Sequence, residues 1–353
     1  MKKIIIAILI MIILPVHALG YELPQMEGEE RFNETAKQIE SGNFKLDPAE
    51  ILTSVANHFV KEIKESSGEI ALLLIVAAMS GIVGAITGGF GDKGGGEAAF
   101  FACFTLMSTA ALNCFNTALE YGTQVINTMS VFINKLSPLL MIVLLSCGKV
   151  TSANTFHPVL SAAVYIISII IQSCLVPLIT FSAVLSVAGN INSKMQISNF
   201  TKVVRSLSKW LMAAIITIFT GISAVYGFSA PALDAVSAKA LKFAVGSMIP
   251  VVGNFLSDTL ETVVSGTRLM KNAIGVSGIV MLCVICVTPA IKIAVMQLML
   301  KMTAAIAEPV ADKRISSMLW EMSEAITVIF AVVVMTAVLF IVDISIIIAS
   351  TNG

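Results

Sequence analysis

Leu136-Ser137-Pro138 and Cys174-Leu175-Val176-Pro177 return further along the chain as Met248-Ile249-Pro250 and Cys286-Val287-Thr288-Pro289. Each proline is displaced by the same 112 residues, 250 minus 138 and 289 minus 177. After a small deletion, Ser206-Leu207-Ser208-Lys209-Trp210 is echoed by Ser316-Ser317-Met318-Leu319-Trp320, and each copy then ends in a long apolar run. A fixed internal period points to one duplicated unit. In a membrane protein such units pack as two halves around a shared seam or midplane site. Chance matching between apolar segments is the competing reading, and the preserved order of the matches favours duplication.

Working outward, the composition places the chain in a bilayer. Of 353 residues, 57% are hydrophobic and 12% charged, with mean hydropathy +0.92; a soluble domain carries about twice that share of charge. Met1-Lys2-Lys3, the apolar run Ile4 to Leu14 and Val16-His17-Ala18 have the layout of a secretory signal, residues 1–18, cleaved near Ala18 or retained as an anchor. Either way, the chain beyond Ala18 begins outside the cytoplasm.

Residues 19–69 form an acidic helical module on that side. Positions 21–69 hold 11 acids against 5 bases. Phe32, Ala36 and Ile39 mark a short helix, and Asp47-Pro48-Ala49-Glu50 has the N-cap, N1 proline and N3 carboxylate that start a second. Ile51, Val55, Phe59 and Ile63 then recur at helical spacing as one apolar stripe. Two short helices cannot bury it alone. It either docks a partner protein or rests on the chain's own membrane domain.

The fold expected is all-α and polytopic, with about six crossings and two short re-entrant or interfacial segments. A hairpin over 70–120 comes first, with spans at 70–90 and 98–119 joined by the glycine-rich turn Gly88 to Gly96. Repeat A, 121–232, offers the short run 136–147, then 158–188 bent at Pro177, then 211–228. Repeat B, 233–353, offers 243–256, then 273–300 bent at Pro289, then 325–349. Pro138, Pro177, Pro250 and Pro289 are candidate helix hinges.

Whether the short segments cross decides the symmetry. If they do not, the copies are parallel and Lys194, Lys202, Arg205 and Lys209 face the cytoplasm. That side then holds 8 Lys and Arg in the membrane domain's loops (93; 194, 202, 205 and 209; 301, 313 and 314), against 6 outside. If they do cross, the halves are inverted and the count is 7 to 7. The positive-inside rule leans toward parallel copies.

Chemistry is sparse. Lys292 and Asp343 are the only charges well inside the expected spans. At 1.5 Å per residue they stand about 12 and 27 Å from the cytoplasmic ends of their helices, so snorkelling is expected rather than an ion pair. Gly275-Val276-Ser277-Gly278 has the form Gly-x-Ser-Gly of rhomboid-type intramembrane proteases, but the three histidines, His17, His58 and His157, offer no evident base. Cys283-x-x-Cys286 lies in an apolar run without redox context. No catalytic, cofactor or metal residue is expected, and no nucleic-acid partner.

Gly148-Lys149-Val150-Thr151-Ser152, Gly246-Ser247-Met248-Ile249-Pro250-Val251-Val252-Gly253 and Ala273-Ile274-Gly275-Val276 resemble the stage III sporulation protein AE family of endospore-forming Firmicutes. The resemblance covers nearly the whole chain and is most diagnostic from Thr201 to Gly278. It implies a multi-pass protein of the mother-cell membrane around the engulfed forespore. It implies membership of a secretion-like channel complex needed for late forespore development, beneath ring-forming partners. Other membrane proteins of that complex and the lipid bilayer are the implied partners, with self-association open. The alternative is a stand-alone secondary transporter with a solute site between its repeats. Paired midplane polar groups would favour it, but Lys292 corresponds to Thr180 and Asp343 has only an apolar counterpart near Leu233.

Overall fold

A computed structural model describes residues 48–89, 93–146, 149–191, 198–248, 253–309 and 311–349, without the side chains of 226–272 and of some scattered positions. The signal, the helix expected around Phe32 and the Asp47 cap lie outside the described residues, as does Pro250.

Every described element is helical, as hydrocarbon requires of chains that cannot hydrogen-bond to water. In order they are α1 (Pro48–Glu65), α2 (Ser67–Gly89), α3 (Lys93–Ser146), α4 (Val150–Ile170), a π-helical turn (Ile171–Leu175), α5 (Val176–Ile191), α6 (Ser198–Met248), α7 (Gly253–Ala307) and α8 (Lys313–Ala349). Five stretches are long and apolar enough to cross a membrane: Phe100–Ser146, Ser161–Ile191, Asn199–Val225, Ala273–Ala307 and Lys313–Ala349. The described side chains of α2 add the shorter apolar run Ala71–Ile82. The chain is an all-α polytopic membrane protein.

Two boundaries differ from the sequence reading. The short run expected at 136–147 is the end of α3, which continues unbroken through Pro138 for 54 residues. The amphipathic stretch 120–135 keeps helical backbone bonds whether or not it is apolar, so the gap in hydrophobicity was not a gap in structure. Likewise, the run expected at 243–256 is split between the end of α6 and the start of α7.

Cross-contacts fix the directions. Phe100 meets Arg314, and Gly278 meets both Leu136 and Ile344, so α3 and α8 run parallel. Lys301 meets Glu324 while Gly275 meets Ile348, so α7 runs against α8. Ser130 and Ser168 share a 3.0 Å hydrogen bond between α3 and α4. The helix starts and ends thereby gather at two poles. One of them, the polar pole, holds the end of α5 and the starts of α6 and α8.

The core is built by α3, α7 and α8. Helix α8 buries residues all round, including Met318, Leu319, Val333 and Phe340, the pattern of a central helix. Glycines set the close approaches. A Cβ on Gly122 would lie 2.6 Å from Ile329, one on Gly278 2.6 Å from Leu136, and one on Gly275 would collide with Ile348. Small residues let membrane helices gain dispersion contacts where no hydrophobic drive separates them from lipid.

Candidate functional site

The polar pole collects polar and charged groups from α5, α6, α7 and α8, some of them more than a hundred residues apart in sequence. Arg205, in the second turn of α6, donates from Nη2 to the main-chain carbonyl of Glu321 at 2.9 Å. The Glu321 carboxylate accepts from Asn190 Nδ2, at the end of α5, at 3.3 Å. One turn on, Glu324 pairs with Lys301 of α7 at 3.1 Å, and the Lys301 ammonium stands 4.7 Å from the Trp320 ring centroid. Arg205 Nε is buried without a partner among the described residues.

Asp312 closes the turn between α7 and α8. Its carboxylate accepts from the Arg314 main-chain N–H at 2.9 Å, as an N-cap does, and from the guanidinium at 3.1 and 3.2 Å. The same guanidinium lies 3.4 Å from the Phe100 centroid and donates to the Ile191 carbonyl at 3.4 Å. Burial pushes the Asp312 carboxyl up, and the bonds and charge of Arg314 more than reverse this, holding it below the usual range. One arginine thus joins the starts of α3 and α8 to the end of α5. Sequence reading counted Arg205 and Arg314 as loop charges and missed Asn190, Glu321 and Glu324; the only signal was their position flanking apolar runs.

The two intramembrane charges are not brought together. Helix α7 extends to Ala307 and α8 begins at Lys313, so Lys292 and Asp343 stand 15 and 30 residues from that pole, about 22 and 45 Å along the axes. Lys292 is half-buried with its ammonium 5.1 Å from the Tyr121 ring centroid, a cation–π contact. Asp343 is 3% exposed, and its Oδ1 has no partner among the described residues.

On α1, Val55, Phe59 and Ile63 are half-buried, while Thr53, Ala56, Asn57 and Val60 are exposed; the side chain of Ile51 lies outside the described set. Helix α1 packs on α7 and α2, so the stripe's face is turned toward its own chain.

Among the hinge prolines, Pro138 and Pro289 sit inside continuous α-helix. Pro177 follows the π-helical turn, in which the Val176 N–H donates to the Ile171 carbonyl. Proline lacks the N–H that the carbonyl four residues earlier would receive, and a π-turn absorbs the mismatch.

Ser277 is buried, and its hydroxyl donates to the Ala273 carbonyl at 2.7 Å, so the Gly-x-Ser-Gly stretch serves helix packing here. Among the described residues no group of three or more His, Cys, Asp or Glu side chains converges.

Two comparisons with known proteins agree. A family described as stage III sporulation protein AE matches residues 31–351. The chain is 29% identical over 312 residues to the stage III sporulation protein AE of Bacillus subtilis strain 168, covering 88% of this chain and 78% of that protein. No solved structure matches it. With the match running through every described helix, the chain belongs to the stage III sporulation protein AE family.

Proposed function

We propose that this chain is a non-enzymatic, multi-pass component of the channel complex between mother cell and forespore. It sits in the mother-cell membrane around the engulfed forespore, with residues 19–69 outside the mother-cell cytoplasm. The observation that carries the reading is family membership across the whole membrane domain.

The orientation is supported by charge and aromatic placement. Lys202, Arg205, Lys209, Lys301, Lys313 and Arg314 gather toward the polar pole, which suits a cytoplasmic face. Trp210 and Trp320, 68% and 45% exposed, stand near that pole at matching points of the two copies, as interfacial anchors do. In this arrangement residues 121–232 and 233–353 are the two copies, laid parallel, and the N-terminal module lies at the opposite pole. The stripe of Ile51, Val55, Phe59 and Ile63, whose described side chains rest half-buried on the side of α7 and α2 in the single chain, is the docking element that turns to a partner membrane protein when the complex assembles.

In-frame deletion in the source organism tests the reading. Normal growth with engulfed forespores that stall and collapse supports it; normal spores refute it and favour a transporter, measured by solute uptake. Val55→Asp with Phe59→Asp is expected to abolish co-purification of partners while the membrane domain stays inserted, and unchanged co-purification removes the docking element.

A further inference from the structure

Helix α3 carries on its outer face a line of polar side chains unlike the outer faces of its neighbours. Asn113, Asn116, Glu120, Gln124, Asn127 and Asn134 follow steps of three, four, four, three and seven, one face of an α-helix, and all six are exposed. Exposed Val131 interrupts the line once. The opposite face buries Ala118, Val125, Met129 and Ile133 in the core.

From Glu120 to Asn134 the line runs at membrane depth, with Asn113 and Asn116 level with the polar pole. Gly122 lies against Ile329 and Val333, and Leu136 and Ile344 both meet Gly278, so 14 residues of α3 keep level with 15 of α8. Between Glu324 and Asp343 helix α8 holds no charge; these 18 residues span about 27 Å, close to the thickness of a hydrocarbon core. On the other side, Ser130 pairs with Ser168 of α4, where Tyr165, Ile166 and Ile169 point outward. That adjoining surface suits lipid. The α3 face does not, because hydrocarbon offers an amide or carboxylate no partner. Thr123 and Thr128 return their hydroxyls to carbonyls of α3 itself, but the amides of the line make no hydrogen bond to another helix among the described residues.

We propose that this face of α3 lines a water-filled passage formed where several copies of this chain bring their α3 helices together. One helix supplies one wall, and the others must come from elsewhere. The line is rich in amides, which both donate and accept, so it is compatible with a copy of itself across water. Rotational symmetry sets the same face of every copy toward one axis. The proposal deepens the channel reading and rests on it.

The test uses the full-length chain, its native cysteines replaced by serine or alanine, reconstituted alone in phosphatidylcholine–phosphatidylglycerol vesicles. Single cysteines are placed at Gln124 and Asn127 on the line, at Ile169 on the lipid face and at buried Met129. A charged, membrane-impermeant maleimide is expected to label Gln124→Cys and Asn127→Cys at least about tenfold faster than Ile169→Cys or Met129→Cys, since the reactive thiolate needs water. A fluorophore on Ile169→Cys should be quenched by brominated lipid, marking that level as bilayer. Mild oxidation should join Gln124→Cys into covalent dimers.

Slow labelling along the line overturns the proposal. So does an Ile169 probe beyond the reach of lipid quenching, which would set the line outside the bilayer. Rapid labelling without any dimer also overturns it, and would assign the opposite wall to a different membrane protein. None of these results touches channel membership, which the deletion phenotype and partner co-purification decide independently.

Discussion

Arg205 offers a sharp test of how the polar pole is held. Its Nη2 donates to the Glu321 carbonyl at 2.9 Å, and no direct contact with the Glu321 carboxylate is present among the described residues. A hydrogen bond from a charged group contributes about 1.5–3 kcal/mol, and the orphaned Nε offsets part of this, so Arg205→Ala is expected to cost about 1–2 kcal/mol. Because Glu321→Gln keeps the accepting carbonyl, it should cost under about 1 kcal/mol, with a coupling in the double-mutant cycle below about 1 kcal/mol. Were the carboxylate itself the partner, losing one member of a buried pair would cost about 3–5 kcal/mol. Unfolding of the purified chain in mixed micelles, followed by the emission of Trp320 beside Glu321, gives these values. At about 2–4 °C per kcal/mol, Arg205→Ala should lower the midpoint by a few degrees. A change within about 0.5 kcal/mol, or a coupling above about 2 kcal/mol, refutes the main-chain clamp.

Three further outcomes are expected. Gly278→Leu should destabilise by about 1–3 kcal/mol through collision with Leu136, whereas Gly221→Leu, with nothing within 4 Å of its Cβ, should stay within about 0.5 kcal/mol; equal effects in the same micelles would refute the glycine-set approach. Asp343→Leu should raise stability by about 1–3 kcal/mol by removing a buried carboxylate whose Oδ1 is unpaired, and a lowered midpoint would reveal a partner for it. The Asp312 carboxyl sits below its ordinary 3.8 in the folded chain, so its contribution is complete above that pH and is lost as pH falls through the lower folded value. Acid-protease cleavage of the turn after Ala307 should therefore increase below about pH 4, and Asp312→Asn should already be open at that pH; identical profiles for the two proteins would refute the cap.

What could be read from the sequence was what repeats locally. The apolar runs of α2, α5, α7 and α8 were legible because a bilayer demands them residue by residue. Pro177 announced an irregularity because the missing N–H is a covalent fact, although nothing local says that the chain would answer with a π-turn. The continuity of α3 through 120–135 was hidden because its outer face is polar, and an averaged hydropathy reads that as a break. Arg205 was illegible for a different reason: its partner is a main-chain carbonyl 116 residues away, and carbonyls have no letter in a sequence. The polar face of α3 was readable in principle as a period of three and four in Asn and Gln.

The burial of α8 has a consequence for biogenesis. Of the described helices, the one that packs against α3, α5, α6 and α7 is synthesised after all the others. Residues 253–349 take about 5–20 seconds to synthesise at 5–20 residues per second, and for that time the first helices must wait in the bilayer without the element that closes their inner surfaces. A chain stopped near Met248 would hold inserted helices and no core, which makes it a substrate for membrane proteases. Quality control of this protein is therefore concentrated in residues 253–349, where one nonsense codon discards nearly everything made before it.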